Sequence, residues 1–186
     1  MRLENEQYEE IKQTVIDSFE EYDVRSVPIS AFEMAVKMGI RVVPYSSMSD
    51  EKRRASMEYS EDGYSKEGKG NEWTIYYNDS CNNYGRINNT IMHEIGHYAM
   101  GHTESGDDEE KEAEAKFFAK YALAPPPLIH NMEKPITPDT IRETFCISHK
   151  AAKYAYKYYR NWLKYGEPDY TDYENRMLRL FNYIGA

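Results

Sequence analysis

Five consecutive residues, His93-Glu94-Ile95-Gly96-His97, have the types and the spacing of a catalytic metal site. Two histidines four positions apart project from the same face of a helix, where both imidazoles can bind one tetrahedral zinc ion. A glutamate directly after the first histidine lies beside that ion without binding it, and can accept a proton from water. The motif therefore predicts zinc-dependent hydrolysis with one zinc per chain, His93 and His97 as ligands, and Glu94 as the general base.

A catalytic zinc site needs a third protein ligand and an open fourth position. The HExxHxxGxxH spacing of the metzincins is absent, because Met100 and Thr103 stand where that motif has glycine and histidine. A glutamate from a following helix is the other solution, and residues 112–119 are helical by propensity. Glu112 shares a face with the apolar residues of that helix and is the predicted ligand. Glu114, about 160° away around the helix, is the alternative and is otherwise expected to be a solvated acid.

Two residues near the motif are candidate supporting groups. His102 follows Gly101, which is expected to end the motif helix, so we interpret His102 as a cap or as support for a ligand. Arg86 is expected either to guide substrate or to fix a loop. Gly96 lowers helix stability by about 1 kcal/mol relative to alanine. A glycine is explained at this position if another backbone or the substrate must approach the helix there.

Apolar periodicity predicts two helices at the start of the chain. Residues 3–23 keep apolar positions three and four apart among acidic neighbours, as in an amphipathic helix. Pro28-Ile29-Ser30 opens a second helix, and Gly39 is expected to end it. The side chains predicted to point inward from this second helix are Phe32, Ala35, Val36 and Met38.

Short runs of β-forming residues predict a small antiparallel sheet after these helices. The predicted strands are residues 40–43, 54–60 and 72–78, with a polar, glycine-rich hairpin loop over 62–70 between the last two. The strand at 72–78 is expected to be exposed and to hold an extended substrate backbone. From about residue 86 onward the pattern is mainly helical.

Composition and charge limit the class of protein. The 186 residues include 23 Lys and Arg against 32 Asp and Glu, so the formal net charge is -9. This length suits one domain, which we divide into residues 1–130 and a helical annex at 131–186 packed on it. No apolar run approaches the roughly 18 residues of a membrane span, and the acidic first residues lack the features of a signal peptide. Cys81 and Cys146 are therefore expected to be reduced thiols in the cytoplasm.

Charge is unevenly distributed along the chain. The acidic run at 104–114 is expected to be a solvated face that leads into a helix N-terminus. Residues 137–164 reverse the charge, and their caps predict a helix-turn-helix layout. An αα-hairpin with a basic outer rim is the favoured interpretation of this segment, and a docking face for nucleic acid or a partner is the alternative. Because the whole chain is acidic, a general nucleic-acid binder is not expected.

Most of residues 28–165 resemble the ImmA/IrrE family of zinc metallo-endopeptidases. The matching parts are HEIGHYAMGH at 93–102, EAEAKFFA at 112–119, Leu123-Ala124-Pro125, Arg86, Thr90, and the Pro-led helix and strand at 28–42. Two positions depart from the family pattern. Asn89 stands where phenylalanine is common, and Lys116 stands where asparagine or aspartate is common.

The resemblance implies an α+β, zincin-like metallopeptidase domain with a small antiparallel sheet, the HExxH helix and a C-terminal helix-turn-helix-like segment. Family members are typically bacterial or phage-borne and cleave a helix-turn-helix transcriptional repressor. The expected partner is therefore a protein substrate, such as a repressor of a phage or mobile element. The alternative is a regulatory or binding protein with a structural or vestigial zinc site that engages DNA or a partner protein.

Overall fold

Helices dominate the chain, and three short strands form one sheet beside them. The computed structural model describes residues 3–70, 72–102 and 108–183, so the first part of the predicted acidic run, 104–107, lies outside the described residues. The helices are α1 Asn5–Glu21, α2 Ala31–Lys37, α3 Asp50–Tyr59, α4 Tyr84–Ala99, α5 Glu109–Leu123, α6 Pro126–His130, α7 Pro138–Phe145, α8 His149–Tyr165 and α9 Asp172–Leu180. The strands are β1 Arg41–Pro44, β2 Gly63–Glu67 and β3 Trp73–Tyr77.

The sheet has the strand order β1-β3-β2, which makes β3 the central strand. Strand β2 pairs with β3 in the antiparallel sense, with Ser65 opposite Ile75. Strand β1 pairs with β3 in parallel, because the chain crosses over through α3 and β2 between them. The α+β class is confirmed, but the sheet is mixed rather than wholly antiparallel. Since β3 has a neighbour on each side, the prediction that residues 72–78 form an exposed strand for substrate is wrong.

Residues 54–60 were predicted as a strand and lie instead at the end of α3. The helix begins after Ser49, whose side chain accepts a hydrogen bond from the backbone N–H of Lys52. Asp50 and Glu51 occupy its first turn, where negative charge favours a helix N-terminus. This capping decides the conformation of the whole segment.

Strand β2 lies within residues 62–70, which were predicted as a loop. Its sequence, Gly-Tyr-Ser-Lys-Glu, has little intrinsic strand preference, so pairing with β3 stabilises it. Tyr64 lies directly opposite Tyr76, and their rings stack with centroids 5.1 Å apart. Only the turn between β2 and β3 remains of the predicted loop.

The two N-terminal helices are confirmed with one correction. Helix α2 is capped by Ser30, and Gly39 follows it in the left-handed conformation at φ +72. Val36 was predicted to point inward but is 73% exposed. Met34 is fully buried in its place, so the inward face of α2 is rotated from the predicted one.

The C-terminal helices share the hydrophobic core of the rest of the chain. The buried apolar side chains form one cluster that runs from Leu3 to Phe181. Within residues 131–183, its members include Ile141, Phe145, Ala152, Tyr159 and Met177. No helix in the described ranges combines the length and the apolar character that a membrane span requires.

Gly96 allows α4 to pack closely against α5. A Cβ atom at this position would lie 3.2 Å from both Cα and O of Ala115, and 3.2 Å from Cβ of Phe118. The prediction that another backbone approaches this glycine is confirmed. The contact sets the register between α4 and α5 and therefore decides which residues of α5 face the motif histidines.

We expect Gly96→Val to destabilise the protein, because its side chain would overlap the backbone of Ala115. Overpacking of this kind costs about 1–3 kcal/mol, which should appear as a lower free energy of unfolding in urea. Ala55→Val is the matched control, since Ala55 is an exposed helical residue of α3. Equal unfolding free energies for the two variants would contradict the packing role of Gly96.

Candidate metal centre

Three side chains from two helices meet at one point. His93 and His97 lie on consecutive turns of α4, and Glu112 lies in the first turn of α5. The Nε2 atom of His97 is 3.2 Å from Nε2 of His93 and 3.2 Å from Oε1 of Glu112. Nε2 of His93 is 3.5 Å from Oε2 of Glu112. The structure thus brings together the three residues that the sequence suggested as metal ligands.

The spacing of these donor atoms fits a tetrahedral zinc ion. Zinc–nitrogen and zinc–oxygen bonds of about 2.0–2.2 Å place neighbouring ligand atoms roughly 3.3–3.6 Å apart in a tetrahedron. The three observed separations are 3.2, 3.2 and 3.5 Å. Two imidazoles and one carboxylate are also a donor set that zinc accepts in catalytic sites, with the fourth position left for water or substrate.

The local electrostatics favour the protonation states that metal ligands require. Burial lowers the pKa of His97 to about 4, so this imidazole is neutral at neutral pH. A hydrogen bond from His93, opposed by burial, lowers the pKa of Glu112 to about 2. Lys116, at the position that departs from the ImmA/IrrE pattern, places its Nζ 3.2 Å from Oε2 of Glu112. Glu112 is therefore ionised and held from two sides.

Glu94 follows His93 on α4 and is almost fully buried. The hydroxyl of Ser65, from β2, donates a hydrogen bond of 2.6 Å to Oε2 of Glu94. Burial raises the pKa of Glu94 above its usual value, although the Ser65 hydrogen bond opposes this shift. A carboxylate whose pKa is moved toward neutrality is suited to accept and return a proton.

A cleft of about 510 Å³ gives access to these groups. His93, Glu94 and Glu112 line one part of it, and residues of β2 and of the end of α3 line another. The complete lining is Tyr59, Ser60, Asp62, Gly63, Tyr64, Asn89, Thr90, His93, Glu94, Glu112 and Lys116. The proposed base and two of the three proposed ligands, His93 and Glu112, therefore share one solvent-accessible space with the edge strand of the sheet.

Comparison with known families agrees with this geometry. A family model described as Peptidase_M78, the IrrE N-terminal-like domain, matches residues 35–157. The chain belongs to this family. The resemblance to ImmA/IrrE proteins is thereby confirmed, and the M78 assignment supports a metallopeptidase-family function. No curated protein matches the chain.

His102 and Glu114 lie behind the candidate metal centre, on the side of His97. Nδ1 of His102 lies 3.0 Å from Nδ1 of His97, and Nε2 of His102 lies 3.0 Å from Oε2 of Glu114. The side chain of Glu114 is only 16% exposed, so the prediction of a solvated acid is wrong. Glu114 faces His102 and lies outside the cluster of His93, His97 and Glu112.

Arg86 fixes the turn that leads into β2. Its Nε donates a hydrogen bond of 2.6 Å to Asp62, and its guanidinium lies 3.5 Å from Glu61. Of the two roles considered for Arg86, this contact supports loop fixation. Because Asp62 lines the cleft next to Gly63, the contact also positions one wall of the M78 site.

Ser65 is the site residue that the sequence did not indicate. It lies in the segment that was predicted as a loop, and a single serine carries no motif. Its position next to Glu94 follows from the pairing of β2 with β3, which is a contact between distant parts of the chain.

We expect Ser65→Ala to raise the pKa of Glu94 further. The hydroxyl stabilises the carboxylate form, so its removal favours the protonated form and shifts titration to higher pH. Carbon-13 NMR titration of the labelled glutamate side chains in the metal-free protein measures this directly. Ser18→Ala is the control, because within the described part of the chain the Ser18 hydroxyl bonds only the backbone carbonyl of Thr14. A pKa of Glu94 that stays constant or falls would count against the assigned hydrogen bond.

Proposed function

We propose that this protein is a zinc-dependent endopeptidase. The observation that carries the proposal is the convergence of His93, His97 and Glu112 at tetrahedral spacing, with Glu94 in the same cleft. Membership of the M78 family supports peptide hydrolysis over other metal-assisted reactions. His93, His97 and Glu112 would hold one zinc ion, and Glu94 would act as the general base.

Each polar residue of the cleft has a separate role in the proposed reaction. Zinc supplies a Lewis acid that polarises a peptide carbonyl and lowers the pKa of water. Glu94 accepts a proton from the attacking water and returns it to the departing amine. Ser65 holds the carboxylate of Glu94 in place through Oε2. Lys116 holds Oε2 of Glu112, which orients the carboxylate toward the two histidines.

Strand β2 is the element best placed to bind an extended substrate. It is an edge strand, and Gly63 and Tyr64 line the cleft that contains Glu94. An extended polypeptide can add to the edge of a sheet through backbone hydrogen bonds, while its side chains enter adjacent pockets. We therefore assign the binding of the substrate backbone to β2 instead of residues 72–78.

The substrate that we propose is a cytoplasmic transcriptional repressor of a phage or mobile element. The support for this choice is the resemblance of 86–125 to the ImmA/IrrE family. Incubation of the zinc-loaded protein with purified candidate repressors, followed by mass spectrometry of the products, tests it. Zinc-dependent cleavage at one defined bond is the expected result. If none of the candidate repressors is cleaved, this choice of substrate is contradicted.

A second candidate function is the binding of nucleic acid through α8. Five cationic side chains form an exposed stripe along this helix, and none has an acidic partner among the described residues. They are Lys150, Lys153, Lys157, Arg160 and Lys164. The opposite face packs Ala152, Ala155 and Tyr159 into the core, which agrees with the favoured interpretation of a hairpin with a basic rim.

We expect Glu94→Gln to keep zinc and to lose proteolysis. The substitution removes the proton acceptor but none of the three ligands, and general acid–base catalysis contributes roughly 10²–10⁴-fold. Metal analysis of the purified variant and the rate of repressor cleavage provide the two measurements. Glu112→Gln should instead lose zinc, because it removes the anionic ligand.

Glu110→Gln is the matched control for both variants, since Glu110 lies on α5 outside the cluster of potential ligands. It should retain both zinc and activity. Full activity in Glu94→Gln would refute the proposed mechanism, and full zinc content in Glu112→Gln would refute the proposed ligand set.

If α8 binds DNA, Lys153→Glu/Lys157→Glu should weaken binding to a labelled duplex. Each lost phosphate contact should also reduce the slope of log affinity against log salt by roughly 0.9. Fluorescence anisotropy at several salt concentrations measures both effects. Lys52→Glu/Lys69→Glu is the control, because it changes the net charge by the same amount at two positions outside α8. Equal affinities for the two double variants would exclude α8 as a nucleic-acid site.

A further inference from the structure

The end of helix α4 returns the chain to the back of His97. Gly101 adopts the left-handed conformation at φ +70, and its N–H bonds the carbonyl of Tyr98. The N–H of His102 bonds the carbonyl of His97 at 2.9 Å. This pair of bonds is the Schellman arrangement, in which a left-handed glycine closes the last turn. His102 is thereby placed against the ring of a proposed zinc ligand.

A continuous row of polar atoms starts from His97 and leads away from the metal side. Nδ1 of His97 faces Nδ1 of His102 at 3.0 Å, and Nε2 of His102 faces Oε2 of Glu114 at 3.0 Å. His97 is fully buried, and His102 is 6% exposed. Water therefore has little access to the two nitrogens between the rings, and these nitrogens depend on each other for hydrogen bonding.

The row is consistent with one arrangement of hydrogens when a metal is bound. Nε2 of His97 must be free of hydrogen to act as a ligand, so the hydrogen lies on Nδ1. This N–H then donates to Nδ1 of His102, which places the hydrogen of His102 on Nε2. The Nε2–H of His102 donates to the carboxylate of Glu114. In this arrangement, each donor nitrogen of the row faces an acceptor.

Helix α1 holds the far end of this row. The side-chain amide of Gln7 donates to Oε1 of Glu114 at 3.3 Å. The same amide also donates to Oε1 of Glu110, one turn earlier on α5. Glu114 is therefore fixed by His102 on one oxygen and by Gln7 on the other, whereas Glu110 makes no contact with the histidines.

We propose that His102 and Glu114 are positioning residues that set the tautomer and ring orientation of His97 and so strengthen metal binding. The inference rests on the proposed function, because it takes His97 as a zinc ligand. Hydrogen-bond partners behind a metal-binding histidine commonly change metal affinity by about 10–100-fold. Here two elements outside the motif, the turn after α4 and the second turn of α5, supply that support.

The experiment compares Glu114→Ala with Glu110→Ala. Both remove a carboxylate from the same stretch of α5 that contacts Gln7, but only Glu114 touches His102. Zinc dissociation constants are measured by competition with a chromogenic chelator. We expect Glu114→Ala to weaken zinc binding by about 10–100-fold and Glu110→Ala to leave it within twofold. His102→Phe, which keeps a ring but removes both nitrogens, should weaken zinc binding by a similar factor.

Nitrogen-15 NMR of the zinc-loaded protein gives a readout that general destabilisation does not reproduce. The wild type should show a protected Nδ1–H on His97, and this signal should be lost or exchange rapidly in Glu114→Ala and His102→Phe. Thermal unfolding of the metal-free variants checks that all are folded. Equal zinc affinity in Glu114→Ala and Glu110→Ala would overturn this inference alone. A His97 hydrogen on Nε2 in the zinc-loaded protein would also remove His97 from the proposed ligand set. A wild-type protein that binds no zinc would overturn it together with the proposed function.

Discussion

The close packing of α4 against α5 is the contact on which the whole site depends. The HExxH motif supplies two of the proposed ligands by itself, because residues four apart on a helix share a face. The third donor must come from another element. Gly96 permits the backbone of Ala115 to approach α4, and Glu112, one turn earlier on α5, then reaches His93 and His97. A side chain at position 96 would separate the helices and move Glu112 away from the histidines.

Burial and nearby charges shift the pKa values of neighbouring groups at this helix pair in different directions. Desolvation keeps His97 neutral and raises the pKa of Glu94, while contacts with His93 and Lys116 keep Glu112 ionised. Each outcome suits a different role: a neutral ligand, a proton acceptor and an anionic ligand. The pKa values of the two carboxylates differ because burial dominates at Glu94, which is bonded by a neutral hydroxyl, whereas contacts with His93 and Lys116 outweigh burial at Glu112.

The sequence predicted the parts of the site that depend on local spacing and on helix faces. His93, His97 and Glu112 could be identified in this way. The unfavourable helix propensity of Gly96 indicated a close contact at that position, and the structure has one with α5. Strand β2 could not be found, because its residues have little strand preference and pairing with β3 creates it. The role of Ser65 depends on that pairing and was missed with it. Helix α3 was missed because β-forming residues at its end outweighed a visible cap at Ser49.

Strand β2 contributes both to the proposed substrate-binding edge and to the surroundings of Glu94, the proposed base. It is an edge strand of the sheet, and the hydroxyl of its Ser65 donates a hydrogen bond to Glu94. Arg86, at the start of α4, holds the turn that precedes this strand through Asp62. Helix α4 therefore anchors the strand that holds the proposed general base, which lies on the same helix. A polypeptide that pairs with β2, as proposed, would add backbone hydrogen bonds to the same strand, so its binding would restrain Ser65 and with it the carboxylate of Glu94.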